Sequence, residues 1–150
     1  MKKLFITALI AVAIGTSAFA DPNTSAVNSK VLNNFSNEFK GAENVNWKIS
    51  SNFIKASFVY DEKVTDAFYS GDGDLIGTSR EFNFAKLPKK AIANIAEKYP
   101  YPPYKLKECI EYINAEGEKN YFVSFEKSSQ LVVLQVSLSG EVSEFQQKLK

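Results

Sequence analysis

Two aspartates one residue apart, Asp72 and Asp74, lie in the glycine-rich stretch Tyr69-Ser-Gly-Asp-Gly-Asp-Leu75. Paired carboxylates can do acid–base work or bind a cation. Acid–base work needs a carboxyl whose pKa burial has shifted, and a turn leaves it in water. Calcium needs six to eight oxygens, and the D-x-D-x-D-G loop with its distant Glu is missing. Asp and Gly are also standard turn formers, so turn chemistry accounts for the stretch. Other chemistry is scarce. The 150 residues contain no His. That removes Ser-His and Cys-His nucleophile pairs and every His-containing zinc site. Cys109 is the only cysteine. It can form no internal disulfide or thiolate metal site; it reads as a small apolar residue on a strand, the alternative being intermolecular pairing or a redox role, for which no basic CxxC-like frame adjoins it. Gly71-Asp-Gly73 lacks the G-x-G-x-x-G frame and a following helix, so no phosphate loop is present. These absences point to a protein that is not an enzyme, with no cofactor or metal.

The elements around these residues recur. Apolar residues fall at Val27, Val31, Leu32, Phe35 and Phe39, and again at Leu87, Ala91, Ile92, Ile95 and Tyr99, 60 positions on. Each set has the spacing of an amphipathic helix. Gly41 stops the first, and Pro100 stops the second. Strands are expected over 53–60, 64–70 and 75–84, and then over 105–115, 120–127, 131–138 and 142–147. Trp47 opens a further extended stretch. Phe58 corresponds to Phe125 and Gly73 to Gly140 at an offset of 67, so the Tyr99–Tyr104 proline segment carries the seven extra residues. The expected fold is α+β: a tandem repeat of helix plus antiparallel four-stranded sheet, with the helices on one face.

Alternation across strands assigns the faces. Ile54, Ala56, Phe58, Tyr121, Val123 and Phe125 belong to the helix-covered core, with Thr65, Ala67, Tyr69, Val132, Leu134 and Val136. The opposite face then holds Phe68, Phe122, Val59 and Val133 among polar neighbours. Aromatic anchors in a polar surround are what interfaces use. The expected partner-binding residues are these four as anchors, with Asp66, Lys55 and Gln135 orienting a protein or peptide. Alternatives are a small-molecule carrier or sensor holding its ligand between helices and sheet, and a self-associating envelope protein whose open face is buried in a homodimer.

The ends bound the setting. Lys2 and Lys3, the apolar run 4–14 and Ala18-Phe19-Ala20 have the form of a signal peptide, residues 1–20, cut after Ala20. That implies a periplasmic or secreted protein. Without Lys2 and Lys3, sixteen basic residues face seventeen acidic ones. Such a balance offers no handle for nucleic acid. No later stretch is apolar enough to span a bilayer. Residues 21–150 suit a single domain made of two repeats, about 27–84 and 87–147.

The motif Phe35-x-x-x-Phe39-x-Gly41-Ala42-x-x-Val45-x-Trp47, with Gly71-Asp-Gly-Asp-Leu75 and Leu87-Pro-Lys-Lys-Ala-Ile92, resembles the PepSY-like, beta-lactamase-inhibitor-like proteins of the bacterial envelope. The resemblance covers about residues 27–147. It implies an extracytoplasmic, non-catalytic module that binds or inhibits another protein. True beta-lactamase inhibitory proteins of this shape carry disulfides, and this chain has one Cys, so no contact residues carry over.

Overall fold

A computed structural model describes residues 26–145. The expected signal segment, and the part of the expected last strand beyond Phe145, lie outside the described residues. Helix α1 is Ser29–Glu38 and helix α2 is Lys89–Lys98. The strands are β1 Glu43–Ile49, β2 Ile54–Tyr60, β3 Lys63–Tyr69, β4 Leu75–Glu81, β5 Lys105–Asn114, β6 Lys119–Lys127, β7 Gln130–Val136 and β8 Val142–Glu144.

The expected pair of four-stranded sheets is overturned. All eight strands belong to one sheet, in the order β1 to β8. Side-chain alternation says which face a residue takes; it carries no information about where a sheet ends. Each intra-hairpin pairing joins chain neighbours in antiparallel register.

The chain divides into two compact units, one of residues 26–80 with 114–116 and one of 81–113 with 117–145. In the first, Asn28 caps α1: its side chain accepts the Lys30 N–H at 2.7 Å. This cap places the helix start at Ser29, two residues after the apolar pattern begins. Val31 and Phe35 are buried against Trp47, Ile54, Ala56, Phe58, Ala67 and Tyr69. Phe35 meets Trp47 edge-on at 5.1 Å and Phe58 at 4.9 Å. Each buried Phe side chain there contributes roughly 1.5–3 kcal/mol.

In the second unit, β4 ends at Glu81, short of Phe84. Asn83 accepts the Ala85 N–H at 2.9 Å and starts a short 3-10 turn, Phe84–Lys86. Helix α2 buries Ala91 and Ile95 against Cys109, Val123, Phe125, Leu134 and Val136. The proline segment closes with Tyr104 N–H donating to the Pro100 carbonyl, 3.2 Å. Tyr99 stacks on Phe125 at 6.0 Å and meets Tyr104 edge-on at 5.2 Å.

One turn seats each helix start. Between β3 and β4, Ser70 N–H donates to the Asp74 carbonyl (2.9 Å) and Gly73 N–H to the Ser70 carbonyl (3.0 Å). Between β7 and β8, Ser137 N–H donates to Glu141 and Gly140 N–H to Ser137, both at 3.0 Å. Gly73 and Gly140 hold φ of +90° and +83°, a region L-residues enter at a cost. Asn34 Nδ2 donates to the Gly73 carbonyl at 2.7 Å, tying the first turn to α1. Asp74 pairs with Lys30 at 3.2 Å in an exposed ion pair. Turn chemistry thus accounts for the Gly-Asp-Gly-Asp stretch.

Candidate functional site

The helix-free face is built from cross-strand rows, and each unit carries its own. In the first unit, Lys55 stands opposite Phe68, which stands opposite Gly77. The next row is Ser57, Asp66 and Ser79, and the next pairs Val59 with Val64. Lys55 Nζ lies 3.1 Å from Asp66 Oδ2, with the two side chains 12% and 19% exposed. Ser57 Oγ donates to Asp66 Oδ1 at 2.6 Å. Both carboxylate oxygens are therefore engaged, and the group is fixed by hydrogen bonds to either side. Val59 is half-buried and Val64 is 70% exposed. The polar network thus adjoins an open apolar row.

Phe68 faces away from the α1 cluster, as alternation predicts, yet it is 0% exposed. Its ring packs edge-on against Phe53 at 5.8 Å. Gly77 opposite has no side chain to compete for the space. Phe68 is therefore a floor beneath the face, not a protruding anchor.

In the second unit the rows are Ile110–Phe122–Gln135–Ser143 and Glu108–Ser124–Val133. Phe122 is 3% exposed, between Tyr112 (6.2 Å) and Phe145 (5.4 Å), both edge-on. It too is a floor. Val133 and Gln135 are half-buried. Ser124 is 1% exposed, and its Oγ has no hydrogen-bond partner among the described residues. An orphaned buried hydroxyl costs about 1–3 kcal/mol.

Of the seven expected site residues, the structure brings Lys55, Asp66, Phe68 and Val59 together in the first unit. Phe122, Val133 and Gln135 lie in the second. The sequence places Ser57 and Ser124 on this face without marking them as site residues, and it does not single out Phe53, Ser79 or Phe145. Ser57 and Ser124 were visible by parity, since each alternates onto the face of Phe68 and Phe122. Phe53 and Phe145 lie at strand ends, where pattern gives no direction.

Two further buried groups, Cys109 and Tyr69, are held in their neutral forms. Cys109 is buried, and desolvation, aided by the Glu108 charge, pushes its thiol up to about 12. So little thiolate exists at neutral pH, and the thiolate is the reactive form. The Tyr69 hydroxyl is buried without a hydrogen-bond partner among the described residues, and desolvation with the Glu38 charge raises its pKa well above the ordinary phenol value. Among the described residues no three His, Cys, Asp or Glu side chains gather as a metal site, and no helix is long and apolar enough to cross a membrane.

No family model matches the chain, and no curated protein matches it. Solved structures do. A DUF2874 family protein from Bacteroides uniformis is 12% identical, with a TM-score of 0.65 over 77% of this chain and 86% of its own. A Bacteroides eggerthii protein provisionally named periplasmic is 13% identical, with a TM-score of 0.66 over 77% and 85%. A BLIP-like protein from Bacteroides fragilis is 15% identical, with a TM-score of 0.64 over 85% and 88%. At such identities the likeness concerns the fold. It supports the beta-lactamase-inhibitor-like half of the expected resemblance and gives none to the PepSY-like half. The chain has the fold of DUF2874 and BLIP-like proteins.

Proposed function

We propose that the protein is an exported, non-enzymatic binding module that recognises a protein or peptide through the helix-free face of its first unit. The observation that carries this reading is the Lys55–Asp66–Ser57 network beside Val59 and the open Val64. A polar group already held in one geometry loses little side-chain entropy on binding, and the adjacent apolar row supplies area to desolvate. The chain has neither a histidine nor a reactive thiol to support catalysis. Export rests on the signal-like residues 1–20, and the provisional periplasmic name of the Bacteroides eggerthii structure agrees with it. Phe68 acts in this reading as a support beneath the surface. The packed clusters under each helix, with Ala56, Ala67 and Ala91 fully buried, weigh against a ligand held between helix and strands.

The test is capture from a native envelope extract by the immobilised mature chain, with the retained protein identified by mass. Val64→Asp and Asp66→Ala should each lose it, while Tyr101→Ser, on the exposed proline segment of the second unit, should keep it. Retention by Val64→Asp at wild-type level would reject this surface. Mass measurement of the free protein separates this reading from a homodimer closed over the same face.

A further inference from the structure

The orphaned Ser124 hydroxyl stands on the same strand face as Phe122, two residues along β6. What meets Phe122 is Phe145, the residue that follows β8, the last of the described strands. Strand β8 has three residues, and only Leu134, Gln135 and Val136 of β7 pair with it. Just beyond it, Phe145 N–H donates to the Val133 carbonyl at 2.7 Å. The Phe145 ring reaches across β7 to meet Phe122 on β6 at 5.4 Å. On the other side of the strand, Glu144 accepts the Tyr99 hydroxyl at 2.8 Å, in an exposed contact. Among the described residues the segment is thus held by three paired positions on β7, these two bonds and Val142 packed on the core cluster, with Ser143 and Glu144 exposed. Such elements open well below the free energy of global unfolding.

The geometry points to a closed binding site on the second unit, with residues 142–145 as its strap and Phe145 as an internal stand-in for the ligand. The occupant is a flat apolar ring bearing a hydrogen-bond acceptor. The ring takes the place of Phe145 against Phe122, edge to face. The acceptor takes the hydrogen bond that the Ser124 hydroxyl lacks. The unmet hydroxyl explains why such a ligand gains more here than on a plain apolar patch, since its binding removes a standing penalty. This site is separate from the Lys55–Asp66 surface and does not need that surface to bind anything.

The probe is 8-anilinonaphthalene-1-sulfonate, a ring system with sulfonate acceptors, titrated by fluorescence into the mature chain. Phe145→Ala should bind one dye at least tenfold more tightly than wild type with unchanged far-UV circular dichroism. Adding Ser124→Ala should take back about fivefold, the worth of one net hydrogen bond. A folded Phe145→Ala that binds no better than wild type overturns the proposal, as does a Ser124→Ala change with no effect on that gain. Hydrogen exchange of the wild-type chain gives a readout that needs no variant. The Phe145 amide should exchange at least a hundredfold faster than that of Val123, and equal protection of the two overturns the strap.

Discussion

Replacing Gly140 by Ala gives the most closely specified test of how the second unit is held together. Gly140 has φ +83°, and a Cβ there would lie 3.0 Å from Pro88 Cβ, 3.3 Å from Lys90 Cβ and 3.4 Å from the Ala91 nitrogen. None of these neighbours is the free end of a flexible chain; all belong to the start of α2. Two costs therefore add. The left-handed conformation costs an L-residue roughly 1–2 kcal/mol, partly offset by about 0.4–1 kcal/mol from the stiffer unfolded chain. The forced contact adds about 1–3 kcal/mol of overpacking. The expected loss is about 2–4 kcal/mol. Gly117 separates the two costs, because it has φ +81° and nothing within 4 Å of its Cβ position. Gly117→Ala should lose only about 1 kcal/mol. Gly73→Ala should fall between, since its Cβ would meet the Lys30 side chain at 2.9–3.0 Å and that chain can swing into water. Urea unfolding followed by far-UV circular dichroism measures all three, with buried Trp47 as a second probe of the first unit. At an m-value of about 2 kcal/mol/M, Gly140→Ala lowers the midpoint by about 1–2 M and Gly117→Ala by about 0.5 M. Equal losses in the two variants would refute the claim that this turn is clamped on the helix start.

Phe68→Ala should cost about 3–5 kcal/mol, and Phe68→Asp more, so neither can serve as a surface mutation; a Tm within a degree of wild type would show that Phe68 is not buried. The turns Asp61-Glu62 and Ser128-Ser129 hold positive φ at both residues without glycine. Asn-Gly in place of Asp61-Glu62 should therefore stabilise by about 1 kcal/mol, read as a rise of a few degrees in Tm. Cys109 should resist alkylation in the native state at pH 8 and react on unfolding. Its thiol sits at an ordinary 9.0 when free and about 12 when folded. The folded state therefore holds the proton more tightly between those values. That stabilisation is complete below pH 9 and is lost as pH rises toward 12. A Cys109→Ala variant with an equally steep alkaline loss would assign that loss to other groups.

Much of the local architecture was legible along the chain. The apolar spacings at Val31–Phe35 and Ala91–Ile95 located both helices within two residues, because a helix's buried stripe follows its period. Parity placed Ala56, Phe58, Val123 and Phe125 toward the helices and Phe68 and Phe122 away from them. Parity could not say whether the second face was wet. A residue's burial depends on what non-local segments bring over it, and Phe53 and Phe145 come from strand ends. For the same reason the pattern that puts Phe68, Phe122 and Ser124 on the open face does not show that all three are buried there.

By itself the sequence determined element types, turn positions, the face each strand residue takes and the poverty of catalytic groups, since these follow from backbone periodicity and side-chain chemistry. Tertiary structure alone decided that the strands make one sheet, that Lys55, Ser57 and Asp66 close into a network, and that Phe145 lies on Phe122. Each of those depends on pairing between residues distant in the chain, and the pairing is selected by the packing of the whole rather than by any local preference.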